Sequence, residues 1–332
     1  MRDPSTRPPT IMDVAAEAGV SKSLVSLAVR GEAGVGEATR ARILDVADRL
    51  GYRSNPWARS LVRGRSQMIG VLLDDLRSGY HTDVVHGVED EAEVAGMAVV
   101  IADGRRDPEV LRGRLERMLG LGLDGVVIVS GRADAELIGP FSRRAPLIIV
   151  GRPASVPAGV GQVSNDDRTG MRLAVHHLAA QGHRRIAHVI GSPRPAAVVR
   201  RESYTDTMYE LGLAEHTRIF PDADALIEAV AARGADAPTA VCCANDRIAV
   251  DVIGQAIDAG IAIPRDLSVA GYDDIELASR MRPTLTSIDQ PRRAMGSLAL
   301  RQLTHMLGGG EARHEVAAPS LVVRDSTAPL TS

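Results

Sequence analysis

Residues Asp13–Gly34 read DVAAEAGVSKSLVSLAVRGEAG, two short helical runs meeting at Gly19-Val20. In the first run Ile11, Val14, Ala15 and Ala18 fall at i, i+3, i+4 and i+7, the stripe of a helix with one buried side. Thr10 to Asp13 has the form of a capping box with Asp in the acidic place. Gly19 stops the run, because glycine readily takes the left-handed conformation of a tight exit. Ser21 can cap the second helix, and Val25, Ala28 and Val29 give that helix a buried side. Ile43, Val46, Ala47 and Leu50 mark a third helix closed by Gly51. The second helix opens on Ser21, Lys22 and Ser23, polar where a buried helix would be apolar. Two readings stand side by side. One is a helix-turn-helix, whose second helix brings polar N-terminal residues to base edges in the major groove. The other is an ordinary helical hairpin with solvated polar groups.

Charge and texture divide the chain at the same place. Residues 1–66 hold 11 Lys/Arg and 7 Asp/Glu, net +4, and the remainder holds 28 against 35, net −7. A basic module ahead of an acidic body suggests a polyanionic partner. Arg53 to Ser66, RSNPWARSLVRGRS, reads as a basic linker with Pro56 and Gly64. From Gln67 onward, short apolar runs without alternation, MIGVLLDD, MAVVIAD, DGVVIVSG and PLIIVG, are separated by helical stretches. RIAHVIG, TAVCCAND and LSVAGYDD repeat the pattern. This is the β-α-β-α signature of parallel sheets covered by helices on both faces. Two such halves imply two similar lobes with a ligand cleft at the carboxyl ends of their strands.

The sequence has no GxxxxGK[ST], no GxGxxG after a strand and no GxSxG. His176, His177, His183 and His188 straddle a helix and the next strand at spacings that fit no zinc motif. Asp273-Asp274 has no nucleophile or metal partner nearby in sequence. The two cysteines, Cys242 and Cys243, are adjacent in an apolar run, which fits two small buried hydrophobes in a reducing cytoplasm. MRDPSTRPPT lacks the apolar core of a signal peptide, and no run of about 18 apolar residues suggests a membrane span.

TIMDVAAEAGVSKSLVSLAVRGE resembles the opening of the lactose-repressor/galactose-repressor family, T-[IL]-x-D-V-A-x-x-A-G-V-S-x-x-T-V-S-x-V-L-N-G. GYRSNPWARSLVRGRS resembles that family's hinge and MIGVLLDDL the start of its effector domain. HHLAAQGHRRIAHVIGS, VCCANDRIAVDVIGQAIDAGIAIPRDLSVAGYDD and RPTLTSIDQP are similar to its later signatures, so the likeness runs in order over almost the whole chain. Leu24 and Arg30 stand where the family usually has Thr and Asn, Leu27 at a position that often carries a polar base-reading side chain, and Asp167 in place of a common Asn.

The resemblance implies a fold, a function and a set of residues. The fold is an all-α helix-turn-helix headpiece, residues 1–51, a hinge, 52–66, and a two-lobed α/β core, 67–332, of periplasmic-binding-protein type. Lobe 1 is expected at about 67–163 and 291–321, and lobe 2 at about 164–290 and 322–332. The function is a cytoplasmic, ligand-responsive repressor of carbohydrate-related genes, not an enzyme, that binds a palindromic operator as a homodimer. DNA contacts fall to Ser21, Lys22, Ser23, Ser26, Leu27, Arg30, Arg59, Leu61 and Arg63. Leu61, in Ala58-Arg59-Ser60-Leu61, matches the family's minor-groove leucine. A sugar or sugar derivative in the cleft would meet Tyr80, His81, Arg200, Asn245 and Asp273, with Phe220 the candidate aromatic platform. The competing function is a periplasmic-type sugar-binding protein with no DNA role, which would have no use for residues 1–66. The C-terminal RHEVAAPSLVVRDSTAPLTS has no heptad and reads as a last strand and a frayed end, so assembly should stop at the dimer.

Overall fold

The structure is a computed structural model that describes Arg7 and residues 9–29, 31–52 and 65–330. It divides into two compact units, Met1–Ser66 and Gln67–Ser332. In the first unit the helices are α1 (Ile11–Ala18), α2 (Lys22–Val29) and α3 (Glu37–Leu50). The Asp13 carboxylate accepts the Thr10 backbone N–H at 2.7 Å, and Gly19 leaves α1 at φ 61°, in the left-handed region. The Ser21 hydroxyl accepts the Leu24 N–H at 3.2 Å and caps α2. Val14, Val25, Ala28, Ile43 and Val46 form one small core. Arg40 of α3 donates to the carbonyls of Ala28 and Glu32, fixing the end of α2 against α3.

The second unit alternates strand and helix: β1 (Met68–Leu73), α4 (Gly79–Ala95), β2 (Ala98–Asp103), α5 (Pro108–Gly120), β3 (Gly125–Val129), α6 (Ala135–Ile138), β4 (Leu147–Val150) and β5 (Gly161–Asn165). After this come α7 (Asp167–Ala180), β6 (Ile186–Val189), α8 (Pro195–Glu210), β7 (Arg218–Phe220), α9 (Ala223–Ala231), β8 (Ala240–Cys243), α10 (Asp246–Asp258), β9 (Ser268–Asp273), α11 (Glu276–Arg280) and β10 (Thr286–Asp289). The chain ends with α12 (Arg292–Leu307), β11 (His314–Ala317) and β12 (Ser320–Val322). Two six-stranded sheets result, ordered β11-β5-β4-β3-β1-β2 and β12-β10-β9-β8-β6-β7. All pairs are parallel except β10 with β12. Strands such as Val126–Val129 and Leu147–Val150 are buried throughout, which is why they lack alternation. Each fully buried Val, Leu or Ile contributes roughly 1.5–3 kcal/mol.

The chain passes between lobes three times, after Asn165, after Asp289 and between Ala317 and Ser320. β5 therefore carries the first lobe to Asn165, two residues past the expected boundary, and β12 starts in the second sheet at Ser320. α12 returns to lobe 1 and packs closely on α4, because Gly87 and Gly296 face the backbone of the opposite helix; a Cβ at either would collide with the carbonyl of Arg293 or Val84. The expected frayed end is corrected. Ser326 and Thr327 are buried, Ser326 N–H donates to the Thr284 carbonyl at 2.9 Å, and Ser326 Oγ donates to the Val269 carbonyl at 2.6 Å. The Ser326 hydroxyl also accepts the Thr286 N–H, and the Thr327 hydroxyl meets the side chains of Thr286 and His177, so a polar, proline-bearing sequence packs like core.

Candidate functional site

In the headpiece, Ser21, Lys22 and Ser23 are exposed at the start of α2, while Ser26 and Leu27 are half-buried one turn on. No acidic residue sits in the first turn of α2. The partial positive charge of that helix start is thus left for an anion such as DNA phosphate. Leu24, half-buried, packs against the headpiece core. Arg30, Arg59, Leu61 and Arg63 lie outside the described residues.

In the core, a cleft of about 460 Å³ lies between the lobes at the carboxyl ends of their strands. Tyr80, His81, Arg200, Asn245 and Asp273 all line it. Phe220 does not, and this expectation is corrected: it ends edge strand β7 in register with Val189, and its ring packs against the lobe 2 core. Strand register, not residue type, decides which way that ring points.

Arg200 is the centre of the arrangement and is only 7% exposed. Its Nε donates to Asp167 Oδ1 at 2.9 Å, and one terminal nitrogen donates to the Ala244 carbonyl at 2.5 Å. The guanidinium lies 3.6 Å from the centroid of the Tyr272 ring, and Asp273 is 3.7 Å away. Burial alone would lower its pKa, but Asp167, Tyr272 and Asp273 together outweigh burial and hold it above the ordinary range. The positive charge is permanent.

Asp273 ends β9 with φ at 117°, a strained conformation for a non-glycine residue, and accepts Gln290 Nε2 at 2.5 Å. Burial raises its pKa, opposed by Arg200 and the Gln290 hydrogen bond. Asn245 caps α10 by accepting the Ile248 N–H at 3.0 Å. Its acceptor oxygen is thereby engaged, and its amide nitrogen is the group left for a ligand. Behind it Asp246, fully buried, accepts from Ser287 Oγ at 2.5 Å and Ile275 N–H at 2.8 Å; burial, then Asp273, raises its pKa. Tyr80 and His81 meet edge to face, centroids 5.7 Å apart. His81 Nδ1 is 2.9 Å from the Asp75 carbonyl oxygen, and burial lowers the pKa of the ring.

Sequence reasoning did not place Asp167, Asn165 or Gln290 in the site. Asp167 binds Arg152 of lobe 1 at 2.9 Å and Arg200 of lobe 2 at 2.9 Å, so one carboxylate ties both lobes. Asn165 Nδ2 donates to Tyr272 Oη at 2.7 Å, while its buried Oδ1 has no hydrogen-bond partner. An unpaired buried acceptor on a cleft wall calls for a donor from outside the chain. The signal available was position: Asn165 and Gln290 stand where strands end and the chain changes lobe. The helix starts of α4 and α8 also reach the cleft without side-chain caps.

Elsewhere the histidines serve the fold. His177 meets Thr327 Oγ1, His183 meets Thr239 Oγ1 and the Ala328 carbonyl, and His188 Nδ1 meets the Cys242 carbonyl at 2.8 Å. Cys242 and Cys243 are buried, with burial pushing the Cys242 thiol up to about 12. Among the described residues no group of His, Cys, Asp and Glu is placed to hold a metal, and no helix is long and apolar enough to cross a membrane.

A helix-turn-helix unit joined to a two-lobed core with a polar cleft defines a ligand-binding transcriptional regulator. The comparisons with known proteins narrow that class. The model of bacterial regulatory proteins of the lacI family matches residues 10–55, and that of the periplasmic binding protein-like domain matches residues 175–327. Over 303 residues the chain is 30% identical to catabolite control protein A of Priestia megaterium, covering 89% of this chain and 91% of that one. Over 332 residues it is 30% identical to the HTH-type transcriptional repressor PurR of Photobacterium profundum, covering 97% and 99%. The lac repressor dimer bound to operator and the anti-inducer ONPF matches with a TM-score of 0.84 at 25% identity, over 97% of this chain and all of that one. The chain belongs to the LacI family of bacterial regulatory proteins.

Proposed function

We propose that the chain is a cytoplasmic repressor of carbohydrate-related genes, without catalytic activity, that binds a palindromic operator as a homodimer and is controlled by a small molecule in the inter-lobe cleft. The observation that carries this reading is the pairing of an exposed Ser21-Lys22-Ser23 helix start with a cleft whose walls converge on Arg200, Asn165 and Asp273. In this reading Lys22 and Ser23 contact base edges, Ser21 and Ser26 flank them, and Leu27 meets an apolar group such as a thymine methyl. Arg30, Arg59, Leu61 and Arg63 enter from the sequence resemblance alone. Leu61 acts as a minor-groove wedge, where unstacking a step costs a few kcal/mol and is offset by extra contacts to bent DNA.

In the cleft, Asp273 and the Asn245 amide bond vicinal hydroxyls, Arg200 offers a fork, and Tyr80 and His81 close the lobe 1 side. The boundaries that go with this are a headpiece over 1–51, a hinge over 52–66 and an effector core from 67. The direct test is binding to DNA upstream of the chain's own gene. Wild type should bind at nanomolar concentration, and Lys22→Ala should lower specific binding at least ten-fold while sparing the thermal unfolding of the core. Binding that is insensitive to Lys22 would refute the headpiece assignment.

A further inference from the structure

The cleft carries more positive charge than its fold uses. Six arginines line it, Arg77, Arg106, Arg152, Arg194, Arg200 and Arg247, against Asp74, Asp167 and Asp273. Pairing consumes only part of this charge. Asp75, behind the wall, serves both Arg77 at 3.1 Å and Arg106 at 2.8 Å. Asp167 likewise serves both Arg152 and Arg200. Asp74 stands 3.7 Å from Arg132, whose Nε is buried without a hydrogen-bond partner. Among the described residues Arg194 and Arg247 have no carboxylate within ion-pair distance. Adding Asp75 and Arg132 to the tally leaves the surplus at three positive charges.

The surplus gathers at one end of the cleft. Partial burial, then the charges of Arg132, Arg106 and Arg247, hold the Arg194 guanidinium below its ordinary range, with Asp74 opposing them. Arg106 and Arg132 belong to lobe 1, Arg194 and Arg247 to lobe 2, so like charges from the two lobes act on one another. The same cleft also offers the unpaired Oδ1 of Asn165 together with Asp273 and Arg200, groups suited to hydroxyls.

We propose that the cleft takes an anionic, hydroxyl-bearing small molecule, a sugar or polyol carrying a phosphate or a carboxylate, with its anionic group among the lining residues Arg106, Arg194 and Arg247. This rests on the reading of the cleft as the effector site and adds the ligand's class. Guanidinium forks match both anions in bidentate geometry. An anion between the lobes replaces repulsion with attraction, so it binds the closed form better than the open one. That difference is what lets a ligand shift a conformational equilibrium.

The test uses the full chain and two probes, inorganic phosphate and gluconate, each against chloride at equal ionic strength. At least one probe should raise the melting temperature of the core by several degrees beyond chloride. In the double variant Arg194→Gln, Arg247→Gln that gain should vanish, while the variant without probe should melt no lower than wild type. A response to phosphate assigns a phosphate ester, and a response to gluconate a carboxylate. No gain over chloride with either probe, or an equal gain in the double variant, overturns the proposal. Release of operator DNA by an uncharged sugar, with no anion response, also overturns it but leaves the effector reading standing. An anion response with no effect of any cleft ligand on operator binding refutes the effector reading and leaves the anion site standing.

Discussion

At the scale of single residues, Arg200 and Asp246 carry the most consequence. Arg200 is a ligand candidate, but its pairing with Asp167 and its contact with Tyr272 make it structural as well. Arg200→Ala leaves buried carboxylates short of a partner, a loss of about 3–5 kcal/mol for such pairs. Urea unfolding of the core should show that drop, whereas Arg194→Gln should leave the midpoint near wild type. Asp246 gives a pH signature. Its carboxyl is raised in the folded state above the ordinary 3.8, chiefly by burial, so the folded chain holds a proton that the unfolded chain gives up. Its contribution is therefore most favourable below about pH 4 and is lost as pH rises towards neutrality. Asp246→Asn, which can still accept the Ile275 N–H, should flatten that decline. Unfolding midpoints at pH 5 and 7.5 measure it, and an unchanged slope would contradict the assignment. Arg200, Asn245 and Asp273 were legible because their local motifs place them at strand or helix ends. Asp167 was not legible as a junction, since its partners Arg152 and Arg200 lie 15 and 33 residues away on different lobes. Phe220 misled because an aromatic at a strand end takes its direction from register.

Among the elements, α2 and the α4–α12 pair give the sharpest tests. The Ser21 cap should be worth about 1 kcal/mol to the headpiece, so Ser21→Ala should lower its thermal stability by that order without touching the core transition. At the α4–α12 crossing, Gly296→Ala puts a methyl group against the Val84 carbonyl and should cost about 1–3 kcal/mol in core unfolding. A neutral effect there would mean the helices can separate freely. The helices of the headpiece and the buried strands were legible from periodicity and from uninterrupted apolar runs. The C-terminal segment was legible only in part. Pro319 and the run Ser326-Thr327 read as an end with nothing to bury, yet the hydroxyls complete hydrogen bonds within the second lobe. Polar composition hides burial when each polar group has a hydrogen-bond partner within the fold.

For the molecule as a whole, three chain passages, the two-way ion pairing of Asp167 and the Asn165 and Gln290 contacts join the lobes at the floor of the cleft. A ligand held by both lobes acts on those joints, and the segment proposed as the hinge, 52–66, directly precedes lobe 1 in sequence. This is the physical route by which cleft occupancy can change DNA affinity, limited by the ligand's differential affinity for the two lobe arrangements. DNA affinity itself should fall steeply with salt if phosphate contacts supply much of it. The central claim is that one chain couples an operator to a cleft ligand. The measurement is operator affinity by fluorescence anisotropy, with the chain's own upstream DNA, titrated with a ligand shown by calorimetry to bind the cleft. The ligand should shift operator affinity at least five-fold, and Asp273→Asn, which weakens ligand binding, should move the shift to proportionally higher ligand concentration. An operator affinity unchanged by a saturating cleft ligand would contradict that claim.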